Sequence, residues 1–259
     1  MPQIHQFAVI LYTLRDYVKT REEALRSFDK VAEIGYQSVQ ISGMDPNLFP
    51  EEELREILGT RGLSICATHE PGVKILEETD AVIARLQKLG TKYTAYPFPA
   101  GIDFSSEASV SGLIQGLNEA GKKMADAGLV LTYHNHAHEF YKVNGRTVLE
   151  RIYAETDPEA LQAEIDIHWV QRGGENPLDW MRKMNGRLPL LHLKDFKVSP
   201  EGHPEFAELG NGTLPLPDIV AAAEQSGCQH YIVEQDVCPG DPFDSIATSF
   251  AYIRNELVG

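Results

Sequence analysis

The chain has 259 residues, 42% of them hydrophobic, and a formal charge of −15 from 38 acidic and 23 basic residues. That length could hold one or two domains, and a surface so acidic repels phosphate backbones and anionic membranes, so nucleic acid and membrane are not expected partners. A small phosphorylated substrate is not excluded, because local charge can differ from the total.

Three cysteines, Cys66, Cys228 and Cys238, form no CxxC pair, which fits a reduced, cytosolic setting. The N-terminal segment from Met1 to Gln6 lacks a basic and apolar leader. No run of about 18 apolar residues suggests a membrane span.

Phe7 to Tyr12 is a continuous apolar run, as a strand buried on both faces requires. Glu22 to Ile34 has helical period, with Ala24, Leu25, Phe28, Val31 and Ile34 on one face, and Gly35 ends it. A second strand, Ser38 to Ser42, and a second helix, Glu51 to Thr60, follow. Leu63 to Thr68 is a third strand, closed at once by His69 and Glu70. Glu77 to Leu89 is helical, Tyr93 to Tyr96 a fourth strand, and Ser109 to Ala127 a long helix ended by Gly128.

The fifth strand starts at Leu129 and runs into Tyr133-His134-Asn135-His136-Ala137-His138-Glu139-Phe140. If the strand persists, His134 and His136 share a face, and Glu139 lies in reach if the chain turns. The second half repeats the rhythm. Strands are expected at Ala163–Ile167, Leu188–Leu193 and His230–Glu234, and helices at Arg146–Glu155, Pro177–Met184, Pro217–Gln225 and Asp244–Leu257. Eight strand–helix pairs in about 250 residues predict a closed (β/α)8 barrel, a TIM barrel, with 1–259 as a single domain. The one long connection, Lys197 to Leu216, has the length of a functional loop or lid.

Barrel enzymes place chemistry at the C-terminal ends of their strands. Five of the nine histidines fall there: His69, His134, His136, His168 and His192. Asp166, Lys194, Asp195 and Glu234 join them. Duller readings exist for several. His69 could simply line the mouth, and Asp166 could cap a helix, although Ile167, His168 and Trp169 are expected to stand between it and any helix start. His168 and Trp169 could be packing residues, and Lys194 and Asp195 a local ion pair. Glu234 follows apolar strand residues, where an unpaired carboxylate is costly, so it calls for a cation partner. Mixed imidazole and carboxylate groups suit a divalent ion such as Mn²⁺, Mg²⁺, Co²⁺ or Zn²⁺.

At Tyr133-His134-Asn135-His136…Glu139-Phe140, Asp166-Ile167-His168-Trp169, His192-Leu193-Lys194-Asp195 and Val233-Glu234-Gln235-Asp236 the chain resembles a known family. Leu11-Tyr12-Thr13-Leu14-Arg15 is typical of it too. These are the xylose isomerase-like barrels of the sugar phosphate isomerase/epimerase group. The group includes ketose 3-epimerases, inosose dehydratase and 3-dehydroshikimate dehydratase, and more distantly endonuclease IV. The resemblance covers essentially the whole chain. It implies one divalent metal ion held by a strand-five residue with Asp166, His192 and Glu234. The strand-five ligand of the family is usually Glu; here the position falls on His134, with Glu139 as the nearby carboxylate.

The implied chemistry is proton removal next to a carbonyl of a sugar or sugar derivative, through a metal-stabilised enediolate. His136 or Glu234 is assigned as base and Lys194 as electrostatic support, with Glu139 a further catalytic candidate. Arg15, His69, His168 and Trp169 are assigned to the substrate, Trp169 by stacking on a sugar face. Dehydration on the same site is the alternative reaction, and a non-catalytic sugar-binding barrel a third reading. A metal nuclease is disfavoured by the −15 charge. Without a Gly-rich phosphate loop beyond Gly210-Asn211-Gly212, the reading leans to an unphosphorylated sugar, cyclitol or keto-glycoside. Homo-oligomerisation is left open.

Overall fold

The structure, a computed structural model, describes residues 1–259. Eight strands form a closed barrel: β1 Phe7–Ile10, β2 Ser38–Ile41, β3 Ser64–His69, β4 Tyr93–Tyr96, β5 Val130–His134, β6 Leu161–Asp166, β7 Leu190–Leu193 and β8 His230–Val233. All neighbouring strands are parallel, and β8 closes on β1 through Phe7↔Tyr231 to Val9↔Val233. The expected (β/α)8 architecture is the observed one. No helix is long and apolar enough to cross a membrane.

Local signals set the helix ends. Thr20 and Glu23 form a reciprocal capping box that starts the helix Arg21–Ile34. Gly35 ends it at φ 117°, and a Cβ there would run into the ring of Phe250, so both conformation and space require glycine. The helix expected from Arg146 begins at Val148 instead, because Thr147 caps it and pairs, with Arg146, against Lys142–Val143 in a small hairpin.

Two hydrophobic clusters follow from the pleat. The large one lies between strands and helices, and a small one inside the barrel comprises Ala8, Ile10, Cys66, Ala67, Leu190 and Ile232. Two residues further along β7, on the same face as Leu190, stands His192. Two beyond Ile232 stands Glu234. The apolar floor thus gives way to polar groups toward the C-terminal mouth. The connection from Lys197 to Leu216 is not plain loop: Asp195–Val198 and Pro204–Ala207 pair antiparallel as a hairpin folded back over the mouth.

Candidate metal and active site

Four strands deliver one side chain each to a common point. His134 ends β5, Asp166 ends β6, His192 lies in β7 and Glu234 follows β8. Their ligand-capable atoms all lie within 4.8 Å of one another, and all four residues are buried. His134 Nε2 is 3.5 Å from Asp166 Oδ2 and 3.8 Å from Glu234 Oε2, and His192 Nδ1 is 2.8 Å from Glu234 Oε2.

His134 Nε2 is buried without a hydrogen-bond partner, and Asp166 Oδ2, equally buried, meets only the Lys194 ammonium and the His134 ring. An orphaned buried polar atom such as His134 Nε2 is costly unless something satisfies it. Two imidazole nitrogens and two carboxylate oxygens at this spacing fit one divalent ion.

Lys194 reaches the same oxygens. Its Nζ lies 3.0 Å from Asp166 Oδ2, 2.8 Å from Glu234 Oε2 and 2.7 Å from Asp236 Oδ2. Burial alone would discharge this lysine, but the three carboxylates outweigh it and hold the ammonium charged. Burial likewise works to raise the Asp166 and Glu234 carboxyls. Lys194 overcomes it, with His134 helping at Asp166 and His192 at Glu234, and both end below the usual carboxylate range.

Beneath this cluster lies a polar layer that the sequence pattern did not flag. Glu164, two residues before Asp166 and fully buried, has Oε1 2.6 Å from His69 Nε2 and 3.0 Å from His192 Nε2. Gln40 Nε2 donates to Glu164 Oε2 at 2.8 Å, while Gln40 Oε1 is 2.8 Å from His192 Nε2. Burial opposes the charge on His192, yet Glu164 and Glu234 on its two sides push it up to about 10. Burial also opposes the charge on Glu164, and its two imidazoles outweigh that and keep it ionised. The available signal was a polar residue at the inward parity of each buried strand.

Several expectations are corrected. Strand five does not persist to His136; it ends at His134, and the chain turns so that His136 N–H donates to Glu139 Oε2 at 2.8 Å. Even so, the His136 ring comes to 4.9 Å from His134 and 5.5 Å from Trp169, centroid to centroid. Its Nδ1 is buried without a partner, and burial, aided by His134 and Lys194, pushes its pKa down to about 2. Glu139 does not reach back toward the cluster. Its Oε1 accepts from Tyr133 O–H at 3.0 Å, and Tyr133 faces away from His134 by strand alternation. The strand-five member of the cluster is His134.

Asp166 does cap a helix. Ile167–Arg172 begins directly after β6, with Asp166 Oδ1 accepting Trp169 N–H at 3.1 Å, which leaves Oδ2 for the cluster. Lys194 and Asp195 form no ion pair with each other. Asp195 accepts backbone N–H groups from Phe196, Gly210, Gly212 and Leu214, and so anchors the hairpin. Gly210 and Gly212 are thereby occupied and cradle no phosphate.

The residues expected to hold substrate are divided. His69 lines the cavity above the cluster. Arg15 donates to Asp236 O at 2.7 Å and Tyr12 O at 2.9 Å, beside that cavity rather than along its wall. His168 is packed under the hairpin, its Nδ1 3.0 Å from Asp195 O and its ring stacked on Phe206 at 4.4 Å. Trp169 lies 5.3 Å from Lys194 Nζ and shields it.

The cavity measures about 590 Å³ and is lined by His69, His134, His136, Glu234 and Asp236 at its inner end. It runs outward between the segments after β1 to β4, past Tyr12, Met44, Val82 and Phe98. Glu51, Glu70 and Glu78 also line it, against Lys74 and Arg85, and Arg85 is ion-paired to Glu51 at 2.7 Å and Glu70 at 3.1 Å.

Fold and site together define a class: a parallel (β/α)8 barrel whose strand ends gather imidazoles and carboxylates at the spacing of an ion site. A profile of the xylose isomerase-like TIM barrel matches residues 28–256, and the chain belongs to that family. A sugar phosphate isomerase/epimerase from Parabacteroides distasonis superposes with a TM-score of 0.83 at 21% identity, covering 98% of this chain and 94% of that one. An L-ribulose 3-epimerase superposes at 0.76 and 13% identity, covering 97% and 94%. At these identities the likeness is one of fold. An inosose dehydratase from Geobacillus thermodenitrificans is 25% identical over 159 residues, 55% of this chain and 53% of that protein. The chain therefore spans about half the length of that relative.

Proposed function

We propose that the protein is a divalent-metal-dependent isomerase or epimerase that removes a proton next to the carbonyl of an unphosphorylated sugar or sugar derivative. The observation that carries this reading is the His134–Asp166–His192–Glu234 cluster, with the buried His134 Nε2 unpartnered, at the inner end of a cavity.

Bound there, a divalent ion would polarise the carbonyl and adjacent hydroxyl oxygens of the substrate. His136 is the base. Its ring stands 4.9 Å from that of His134 at the inner end of the cavity, and its buried, unpartnered Nδ1 is placed to receive the proton, while burial beside His134 and Lys194 lowers its basicity in the ion-free protein. Lys194, held charged by its three carboxylates, stabilises the negative charge that develops as the proton leaves. His69, oriented by Glu164 at 2.6 Å, holds a substrate hydroxyl. Trp169 and the hairpin bearing Phe206 keep water from the β6–β7 side.

Charge favours an unphosphorylated substrate. Five carboxylates line the cavity against Lys74 and Arg85, and Arg85 is already neutralised. A dehydratase is the second reading, favoured by the placement of Glu139. With that carboxylate turned away, strand five supplies no second carboxylate base. Removing one proton and expelling a β-hydroxyl needs no re-protonation from the opposite face.

The test is incubation of the Mn²⁺-loaded protein with ketoses, keto-cyclitols and their phosphate esters in D₂O, read by NMR and mass spectrometry. Deuterium at the α-carbon of an unphosphorylated compound with unchanged skeleton is expected; loss of water identifies the dehydratase. No exchange into any of these compounds, together with no metal uptake, would leave only a binding role.

A further inference from the structure

We propose that Gln40 and Glu164 are positioning residues that fix which nitrogen of His192 faces the ion cluster. The proposal rests on the metal reading above and concerns residues that touch neither the cavity nor the cluster point directly.

The argument is one of donors and acceptors. Glu164 Oε1 receives His69 Nε2 at 2.6 Å and His192 Nε2 at 3.0 Å, and its Oε2 lies 2.8 Å from Gln40 Nε2. An ionised carboxylate only accepts, so the Gln40 group facing it must be the NH₂. The amide is planar, and its oxygen is therefore the atom 2.8 Å from His192 Nε2. His192 Nε2 then faces two acceptors, Gln40 Oε1 and Glu164 Oε1, and must carry hydrogen. The lone pair available for an ion is left on Nδ1, the nitrogen on the Glu234 side, 2.8 Å from Glu234 Oε2. The second hydrogen bond of a ligating imidazole sets both its tautomer and its ring plane. Here a carboxylate and an amide set it jointly, and the His69 ring, stacked on His192 at 5.4 Å and 8°, restrains the plane further.

The pair has a built-in polarity, and an exchange of two atoms tests it. In Glu164→Gln the new NH₂ either faces His192 Nε2 itself or faces Gln40, which must then turn its oxygen there and its own NH₂ to His192 Nε2. Either way a donor replaces one of the two acceptors at Nε2, which favours a bare Nε2 and a protonated Nδ1, the wrong tautomer for the cluster. In the double variant Gln40→Glu/Glu164→Gln, the new carboxylate accepts from the amide and from His192 Nε2–H, and the original pattern returns. Zn²⁺ affinity measured by competition calorimetry should fall about 10–100-fold in the single variant. It should recover toward the parent value in the double variant. Gln40→Met, of similar volume, should weaken binding in the same direction without depending on the swap. In the Zn²⁺-loaded parent, ¹⁵N-edited NMR should show a slowly exchanging proton on His192 Nε2. Parental affinity in Glu164→Gln, or a double variant that folds and binds as weakly as the single one, would overturn the proposal. A parent that takes up no Zn²⁺ removes the metal reading and this inference together; a parent that binds while the variants do not differ removes this inference alone.

Discussion

Lys194 Nζ lies 2.8 Å from Glu234 Oε2 and 3.0 Å from Asp166 Oδ2, so a fixed ammonium and a divalent ion would share the same two oxygens. The lysine therefore acts as a resident cation that keeps buried carboxylates paired when no ion is bound. Removing one partner from a buried ionic group usually costs about 3–5 kcal/mol. Lys194→Met should lower the thermal midpoint of the chelator-treated protein, and Mn²⁺ should restore more of the loss than it adds to the parent. Differential scanning calorimetry with and without Mn²⁺ checks this. An unchanged midpoint in the chelated variant would contradict the resident-cation role.

Metal binding should depend on the two buried ligands whose replacement leaves the barrel packing intact. Asp166→Asn keeps the Oδ1 cap on Trp169 N–H and removes the charge facing His134. His192→Ala removes one imidazole from the cluster. Both should lose most bound divalent ion in elemental analysis while the far-ultraviolet circular dichroism stays parental. Retention of ion in both would show the ligand assignment to be wrong.

His136 and Glu139 should separate cleanly. If His136 is the base, His136→Ala should lower α-proton exchange by about 10²–10⁴-fold with metal content near normal. Glu139→Gln perturbs the Tyr133 and His136 N–H bonds, not the cluster, so it should cost about 1–3 kcal/mol of stability and leave exchange measurable. The reverse pattern, with exchange abolished by Glu139→Gln and kept by His136→Ala, would move the chemistry to the carboxylate.

The ion-free protein should be most stable near pH 6.5. His192, pushed up to about 10 by Glu164 and Glu234 against burial, holds a proton in the folded chain that the unfolded chain releases above about 6.5. Stability from this ring is therefore lost as pH rises through about 10. His136, pushed down to about 2 chiefly by burial, and His69 and His168, lowered by the same cause, work in the opposite direction. Below about 6.5 the unfolded chain binds protons that these rings refuse, and stability falls as pH drops. The depressed carboxyls of Asp166 and Glu234 add to the acid loss at still lower pH. Thermal midpoints from pH 4 to 10 in chelator should trace a maximum. A midpoint still climbing at pH 9 would contradict the His192 assignment.

The strands and most helices were legible because apolar runs, helical period and terminal glycines agree at each boundary. Phe7–Ile10 and Tyr93–Tyr96 follow directly from this. His134, Asp166, His192 and Glu234 were legible because charge at the end of an apolar strand has few structural explanations. The polar layer beneath was not: Gln40 and Glu164 sit among apolar neighbours, and only closure of the barrel brings them from opposite strands onto one imidazole. The fate of Glu139 was hidden for a similar reason. Whether a loop carboxylate faces a site or folds under its own strand depends on two donors, the Tyr133 hydroxyl on the outer face and the His136 N–H of the turn.

The hairpin from Asp195 to Ala207 closes one side of the mouth with Phe206 over His168 and Trp169, while the cavity leaves by the other side past Met44, Val82 and Phe98. The rim thus divides into a fixed jaw and an editable one. Replacements on the fixed jaw would disturb Lys194 and Asp166 and therefore the chemistry itself. Those at Met44, Val82 and Phe98 would reshape the outer cavity and leave the cluster in place. On the proposed function, a change of substrate has its natural starting point on that second jaw.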